Sequence, residues 1–215
     1  MRAKNEMDSR LYLRLVRACF ILAAVVLAFG VGKWMQRDVY AGSNLSGGAH
    51  KASEIAGETN WTVTGDIVIE MDEDATLGTL DATGHDITIK GNKTLTIKGN
   101  STLIAANNIT VEDTTLKLTV NEGASDDTNA VNVKNDISLK NVNLEIDNPR
   151  GEGIYADYGD GDVILQGSSV RIDSEYDCID SKHDINVNST GLFLKSNNGG
   201  LWAKKIFIYR TRMEL

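Results

Sequence analysis

The sequence predicts an all-β protein, a right-handed parallel β-helix with about 20–28 residues per coil. A polar residue is followed by a short apolar-x-apolar strand seven times between Asp66 and Ile208. These anchors are Asp66-Ile67-Val68-Ile69, Asp86-Ile87-Thr88-Ile89, Asn108-Ile109-Thr110-Val111, Asp136-Ile137-Ser138-Leu139, Asp162-Val163-Ile164-Leu165, Asp184-Ile185-Asn186-Val187 and Lys205-Ile206-Phe207-Ile208. They lie 20, 22, 28, 26, 22 and 21 residues apart, a period at which only stacked coils bury an apolar face. Composition agrees: one Pro, twenty Gly and many Val, Ile, Thr and Asn favour strands and tight turns over helices.

Each coil reads as three strands. The first opens on a small or apolar pair, as in Ala130-Val131-Asn132-Val133, Gly153-Ile154-Tyr155-Ala156, Cys178-Ile179-Asp180-Ser181 and Leu201-Trp202-Ala203. The anchor strand is the second. The third follows a turn: Leu95-Thr96-Ile97, Leu116-Lys117-Leu118, Val142-Asn143-Leu144, Val170-Arg171-Ile172 and Leu192-Phe193-Leu194. Alternation sends every second side chain inward, so equivalent residues of successive coils stack in aliphatic columns. Length variation falls at turns such as Gly123–Thr128 and Asp157–Gly161. Right-handedness is the expectation from the crossover rule. The Asp or Asn before six of the seven anchors is expected to bond neighbouring backbone and form a polar ladder along the stack.

The N-terminal end carries a different signal. Arg10, Arg14 and Arg17 precede an uncharged run of fifteen residues from Ala18 to Gly32, and Val39-Tyr40-Ala41 follows. A basic region, a short apolar run and an A-x-A-like site read as a secretory signal, with an uncleaved membrane anchor as the alternative. The expected organisation is residues 1–41 as signal peptide or anchor helix, 42–59 as a flexible Gly/Ser-rich spacer and 60–215 as the β-helix. Leu201 through Tyr209 reads as a further coil, and no cap is evident in Arg210–Leu215. The domain is therefore expected to be truncated or covered by another protein there. Cys19 falls in the N-terminal segment. Cleavage would leave Cys178 alone, without an internal disulfide.

Residues 42–200 hold 11 basic and 26 acidic side chains, a net charge of −15. That balance argues against nucleic acid, whose binding rests on Lys and Arg against phosphate. It suits an exported protein in contact with calcium.

The strand grammar, best seen in Cys178-Ile179-Asp180-Ser181-Lys182-His183-Asp184-Ile185-Asn186-Val187, resembles the carbohydrate-binding β-helix domains of clostridial and related Gram-positive surface proteins. Cys178 stands where that family usually has Gly. The resemblance is strong over residues 128–200 and looser over 60–127. It implies a pectate-lyase-like right-handed β-helix that binds sugars and calcium at or outside the cell surface. The expected partner is a polysaccharide or cell-wall glycan, with membrane contact only through the N-terminal segment.

Candidate site residues cluster late in the chain. Asp157-Tyr158-Gly159-Asp160-Gly161-Asp162 is a tight acidic turn, and Asp177 and Asp180 follow one coil later. Carboxylates at this density suit a hard cation, so Asp157, Asp160, Asp162, Asp177 and Asp180 are the candidate calcium ligands. Asp157 and Asp177 are expected to be near neighbours on adjacent coils. Tyr155, Tyr158, Tyr176 and Trp202 are the candidate sugar contacts, each pairing apolar area with a polar tip. No nucleophile elbow, phosphate loop or zinc pattern appears in the sequence, Arg150 and Arg171 stand in no catalytic motif, and no catalytic residue is assigned. Calcium-assisted carbohydrate binding is the expected function. A polysaccharide lyase or hydrolase on the same fold, or a non-binding stalk, is the alternative.

Overall fold

The computed structural model describes residues 43–57, 59–156 and 159–209. The signal or anchor segment and the last six residues, 210–215, lie outside them. Among the described residues no helix is long and apolar enough to cross a membrane.

The described chain winds into a parallel β-solenoid of about seven turns. Its first sheet holds eight strands: Ser43–Leu45, Asn60–Val63, Thr79–Ala82, Ile104–Ala106, Val131–Val133, Ile154–Ala156, Ile179–Ser181 and Leu201–Trp202. The second sheet holds eight anchor strands, from Gly48–Lys51 and Ile67–Glu70 to Asp184–Asn188 and Lys205–Tyr209. The third sheet holds six, from Ala75–Leu77 to Gly191–Ser196. Every pairing between neighbouring coils is parallel, for example Ile109 beside Ile137 and Val111 beside Leu139.

Alternation decides what enters the core. In the second sheet Ile67, Ile87, Ile109, Ile137, Val163 and Ile185 form one inward column, and Ile69, Ile89, Val111, Leu139, Leu165 and Val187 form the next. All twelve are 2 % exposed or less, and burial of this kind stabilises by roughly 1.5–3 kcal/mol per side chain.

The outward column beside them runs Lys51, Glu70, Lys90, Glu112 and Lys140 in register, with Lys90 and Glu70 3.6 Å apart and Lys140 and Glu112 3.9 Å apart. The corner after these strands is left-handed in coil after coil: Gly91, Asp113, Asn141, Gly167 and Ser189 have φ of 125°, 54°, 53°, 60° and 49°. Gly and Asx tolerate that conformation best, which is why they recur there.

The stretch expected to be a flexible spacer is instead part of the solenoid. Ser43–Leu45 pairs with Trp61–Val63, and Gly48–Lys51 pairs with Ile67–Glu70. A single helical turn, α1 (Ala52–Ile55), occupies the place of a third-sheet strand in this coil and buries Ala52 and Ile55. The coil escapes a pattern search because Gly48 and His50 stand where later coils put Ile, so the apolar-x-apolar signature is missing.

The polar residues before the anchors form a ladder. Asp66 Oδ1 accepts the Asp86 N–H at 2.9 Å, and Asp86 Oδ1 accepts Asn108 Nδ2 at 2.8 Å. Asn108 Oδ1 accepts the Asp136 N–H at 3.1 Å, Asp136 Oδ1 the Asp162 N–H at 2.8 Å, and Asp162 Oδ1 the Asp184 N–H at 3.2 Å. Each carboxylate or amide thus satisfies a donor at the corner of the next coil.

Candidate functional site

First-sheet strands are short, and their central residue points away from the core. In register, these outward residues are Asp81, Ala105, Asn132, Tyr155, Asp180 and Trp202. Ile154, Ala156, Ile179 and Ser181 on either side are fully buried and hold the strands to the core. Tyr155 and Asp180 are half-buried, whereas Trp202 is 57 % exposed. Neighbouring rungs lie about 4.8 Å apart, so Tyr155 and Trp202 are about 10 Å apart with Asp180 between them. Asn132 extends the polar line, donating to Thr102 Oγ1 at 3.5 Å and accepting from Asn129 Nδ2 at 3.1 Å.

The corner after these strands carries Asp160, Asp162, His183 and Asp184. Its backbone packs hard on the preceding coil. A Cβ on Gly161 would stand 1.8 Å from the Asn135 carbonyl oxygen, so only glycine fits there. Buried Ser181 ties two coils together: its hydroxyl donates to the Gly161 carbonyl at 3.1 Å and accepts the His183 N–H at 3.2 Å. His183 Nδ1 lies 2.5 Å from Asp162 Oδ1. That hydrogen bond is the main reason the imidazole holds its proton above the usual histidine range, with partial desolvation opposing it and Asp184 adding to it.

The corner before the strands carries Tyr176, Asp177 and Glu152. The Tyr176 hydroxyl bonds Asp127, which raises the phenol's pKa. Asp177 Oδ1 accepts Asn198 Nδ2 at 3.2 Å. Arg150 pairs with Asp126 nearby and donates through Nε to the Ala124 carbonyl at 3.0 Å.

A family model described as carbohydrate-binding domain-containing protein matches residues 49–205. The chain belongs to that family. All the described candidate residues of this carbohydrate-binding domain fall within the match. Searches of curated proteins and of solved structures each found no significant match.

The domain's geometry sorts the residues picked from sequence into three places. Tyr155, Asp180 and Trp202 share the central column of the first sheet. Asp160 and Asp162 follow the Ile154–Ala156 strand, and Asp162 belongs to the structural ladder. Tyr176 and Asp177 precede the Ile179–Ser181 strand, where Asp177 is level with Glu152. A three-residue strand separates these corners by roughly 10 Å, so Asp177 does not converge with Asp160 and Asp162. Asp157 and Tyr158 lie outside the described residues.

Sequence reasoning passed over His183 and Asp184. His183 reads as a turn residue in sequence. Its carboxylate partner stands 21 residues earlier, a separation that only the coil register explains.

The third sheet presents a separate polar face. Arg171 points outward, as expected from its alternation, and its guanidinium lies 4.2 Å from the centroid of the exposed Phe193 ring. With Lys117, Glu145, Asp147 and Asp173 it lines an open groove of about 400 Å³.

Proposed function

We propose that this carbohydrate-binding domain engages a polysaccharide chain along the outward face of its first sheet, with Tyr155 and Trp202 as ring-stacking platforms and Asp180 as the hydrogen-bonding group between them. The observation that carries this reading is their in-register placement on one column. Aromatic faces beside polar acceptors suit the alternating apolar and hydroxylated faces of a sugar ring. A rigid backbone holds them, so little ordering entropy is lost on binding.

The basic-then-apolar N-terminal segment supports export, and the partner we infer is a cell-surface or cell-wall glycan. Calcium enters this reading through charge: a body of net −15 repels an acidic glycan unless a divalent cation bridges the two.

Glycan-array screening of the protein, followed by calorimetric titration with the best ligand, tests the proposal. Trp202→Ala and Tyr155→Ala are expected to weaken binding without lowering the unfolding temperature. Unchanged affinity in both variants would remove the first sheet from the mechanism. Chelation is expected to abolish retention of a polyuronide, and retention that survives chelation removes the ion.

A polysaccharide lyase is the second reading. It draws on Arg171, which shares its groove with Glu145, Asp147 and Asp173. Release of unsaturated sugar products that stops in Arg171→Ala would establish it over simple binding.

A further inference from the structure

We propose that Asp162, His183 and Asp184 form a binding site for a divalent transition-metal ion of the zinc type, distinct from any calcium bridge to glycan. One donor atom from each of the three residues lies within 4.8 Å of the others. An imidazole among the donors selects zinc, cobalt or nickel over calcium, which takes an all-oxygen shell.

The ladder supplies the independent observation. Asp66, Asp86, Asn108, Asp136 and Asp162 each accept a hydrogen bond from the next coil. Asp184 is the next rung, with Lys205 in register beside it, and there the pattern breaks. Its Oδ1 is buried and meets no hydrogen-bond donor. A buried carboxylate oxygen without a donor is costly and asks for a cationic partner. Asp184 belongs to the same cluster as His183 and Asp162. A metal ion would take the place of the proton that His183 Nδ1 and Asp162 Oδ1 share at 2.5 Å.

An earlier coil provides an internal control. His85 precedes Asp86 as His183 precedes Asp184, and its Nδ1 faces Asp66 as His183 faces Asp162. There the His–Asp separation is 3.8 Å, and Asp86 Oδ1 is already taken by Asn108 Nδ2. The same residue types therefore lack both the convergence and the orphaned oxygen.

His183 and Asp162 side chains are 37 % and 33 % exposed, so an ion can enter and retain water in its remaining positions.

The test uses the full chain carrying Cys19→Ser in every arm, stripped of metal and titrated with zinc by calorimetry and with cobalt by visible absorption. One ion per chain is expected, with affinity reduced by roughly tenfold or more in His183→Ala and in Asp184→Asn. His85→Ala is expected to match the parent. Thermal unfolding without metal checks that each variant folds. Zinc is also expected to raise the unfolding temperature of the parent but not of Asp184→Asn. Failure to bind zinc or cobalt, binding unaffected by His183→Ala, or a preference for calcium would each overturn the proposal. None of these readouts involves a glycan, so the site stands or falls apart from the sugar-binding face.

Discussion

Trp202 stands two rungs from Tyr155 on the outward column of the first sheet, with Asp180 on the rung between. Both aromatic side chains are fixed by strands whose flanking residues face the core, so their spacing is a property of the coil rather than of a loop. Replacing either with Ala is expected to weaken glycan binding by about tenfold, or about 1.4 kcal/mol, and replacing both to weaken it further. Titration with the glycan found by array screening measures this.

Asp136 shows what the polar ladder contributes. Its Oδ1 accepts the Asp162 N–H at 2.8 Å. Asp136→Ala removes the acceptor and is expected to cost about 1–2 kcal/mol in urea unfolding. Asp136→Asn is expected to stay close to the parent, because Asn108 already fills the equivalent place and still accepts the next N–H at 3.1 Å. Equal losses in the two variants would assign the role to charge instead.

Glu112 stands between Lys90 and Lys140 on the outward column of the second sheet. Glu112→Lys places three like charges on successive rungs. The expected cost is about 1 kcal/mol at low salt, fading as ionic strength approaches 1 M. Chemical unfolding at two salt concentrations gives the comparison.

The period-two alternation at a fixed spacing of 20–28 residues made the core columns legible, because a solenoid repeats its inward residues at matched positions. Tyr155 and Trp202 stand out in sequence as candidate sugar contacts and Asp180 as a candidate calcium ligand, but their common column comes only from the strand register. The first coil was not legible, since Gly48 and His50 replace the aliphatic pair that marks the others. Neither was the meeting of Asp162 with His183 and Asp184. It depends on which corner residues turn toward the neighbouring coil, and chain spacing carries no sign of that. Asp177 precedes its first-sheet strand whereas Asp160 and Asp162 follow theirs, so similar spacing in sequence leads to opposite corners.

Glu152 gives the domain a dependence on pH. Partial burial is the largest cause holding its carboxyl above the ordinary 4.5, its own backbone N–H opposes this, and the charges of Asp177 and Asp127 add to it. A carboxyl with a raised folded-state pKa holds its proton more tightly in the folded chain. Its ionised form therefore costs stability at neutral pH, and that cost fades as pH falls through the folded pKa toward 4.5. Glu152→Gln is expected to raise the unfolding temperature near neutral pH and to make no difference below about pH 4. Thermal melts across that range check the sign, and a variant that is less stable at neutral pH would refute it.

Ile89 and Ile206 occupy inward columns of the same second sheet, yet Ile89 is 0 % exposed and Ile206 is 41 % exposed. Ile89 has strands on both sides, Ile67–Glu70 and Ile109–Glu112. Among the described residues Ile206 is paired on one side only, with Ile185. Stability in a solenoid is close to a sum of coil and interface terms, so a side chain between two coils contributes to two interfaces. Ile89→Ala is expected to cost about 2–5 kcal/mol, the range for a buried aliphatic truncation that leaves a cavity. Ile206→Ala is expected to cost well under half of that. Urea unfolding of both variants measures the difference. Equal costs would mean that the last coil is covered in solution by protein beyond the described residues or by a second copy, and sedimentation of the parent protein at two concentrations separates those two cases.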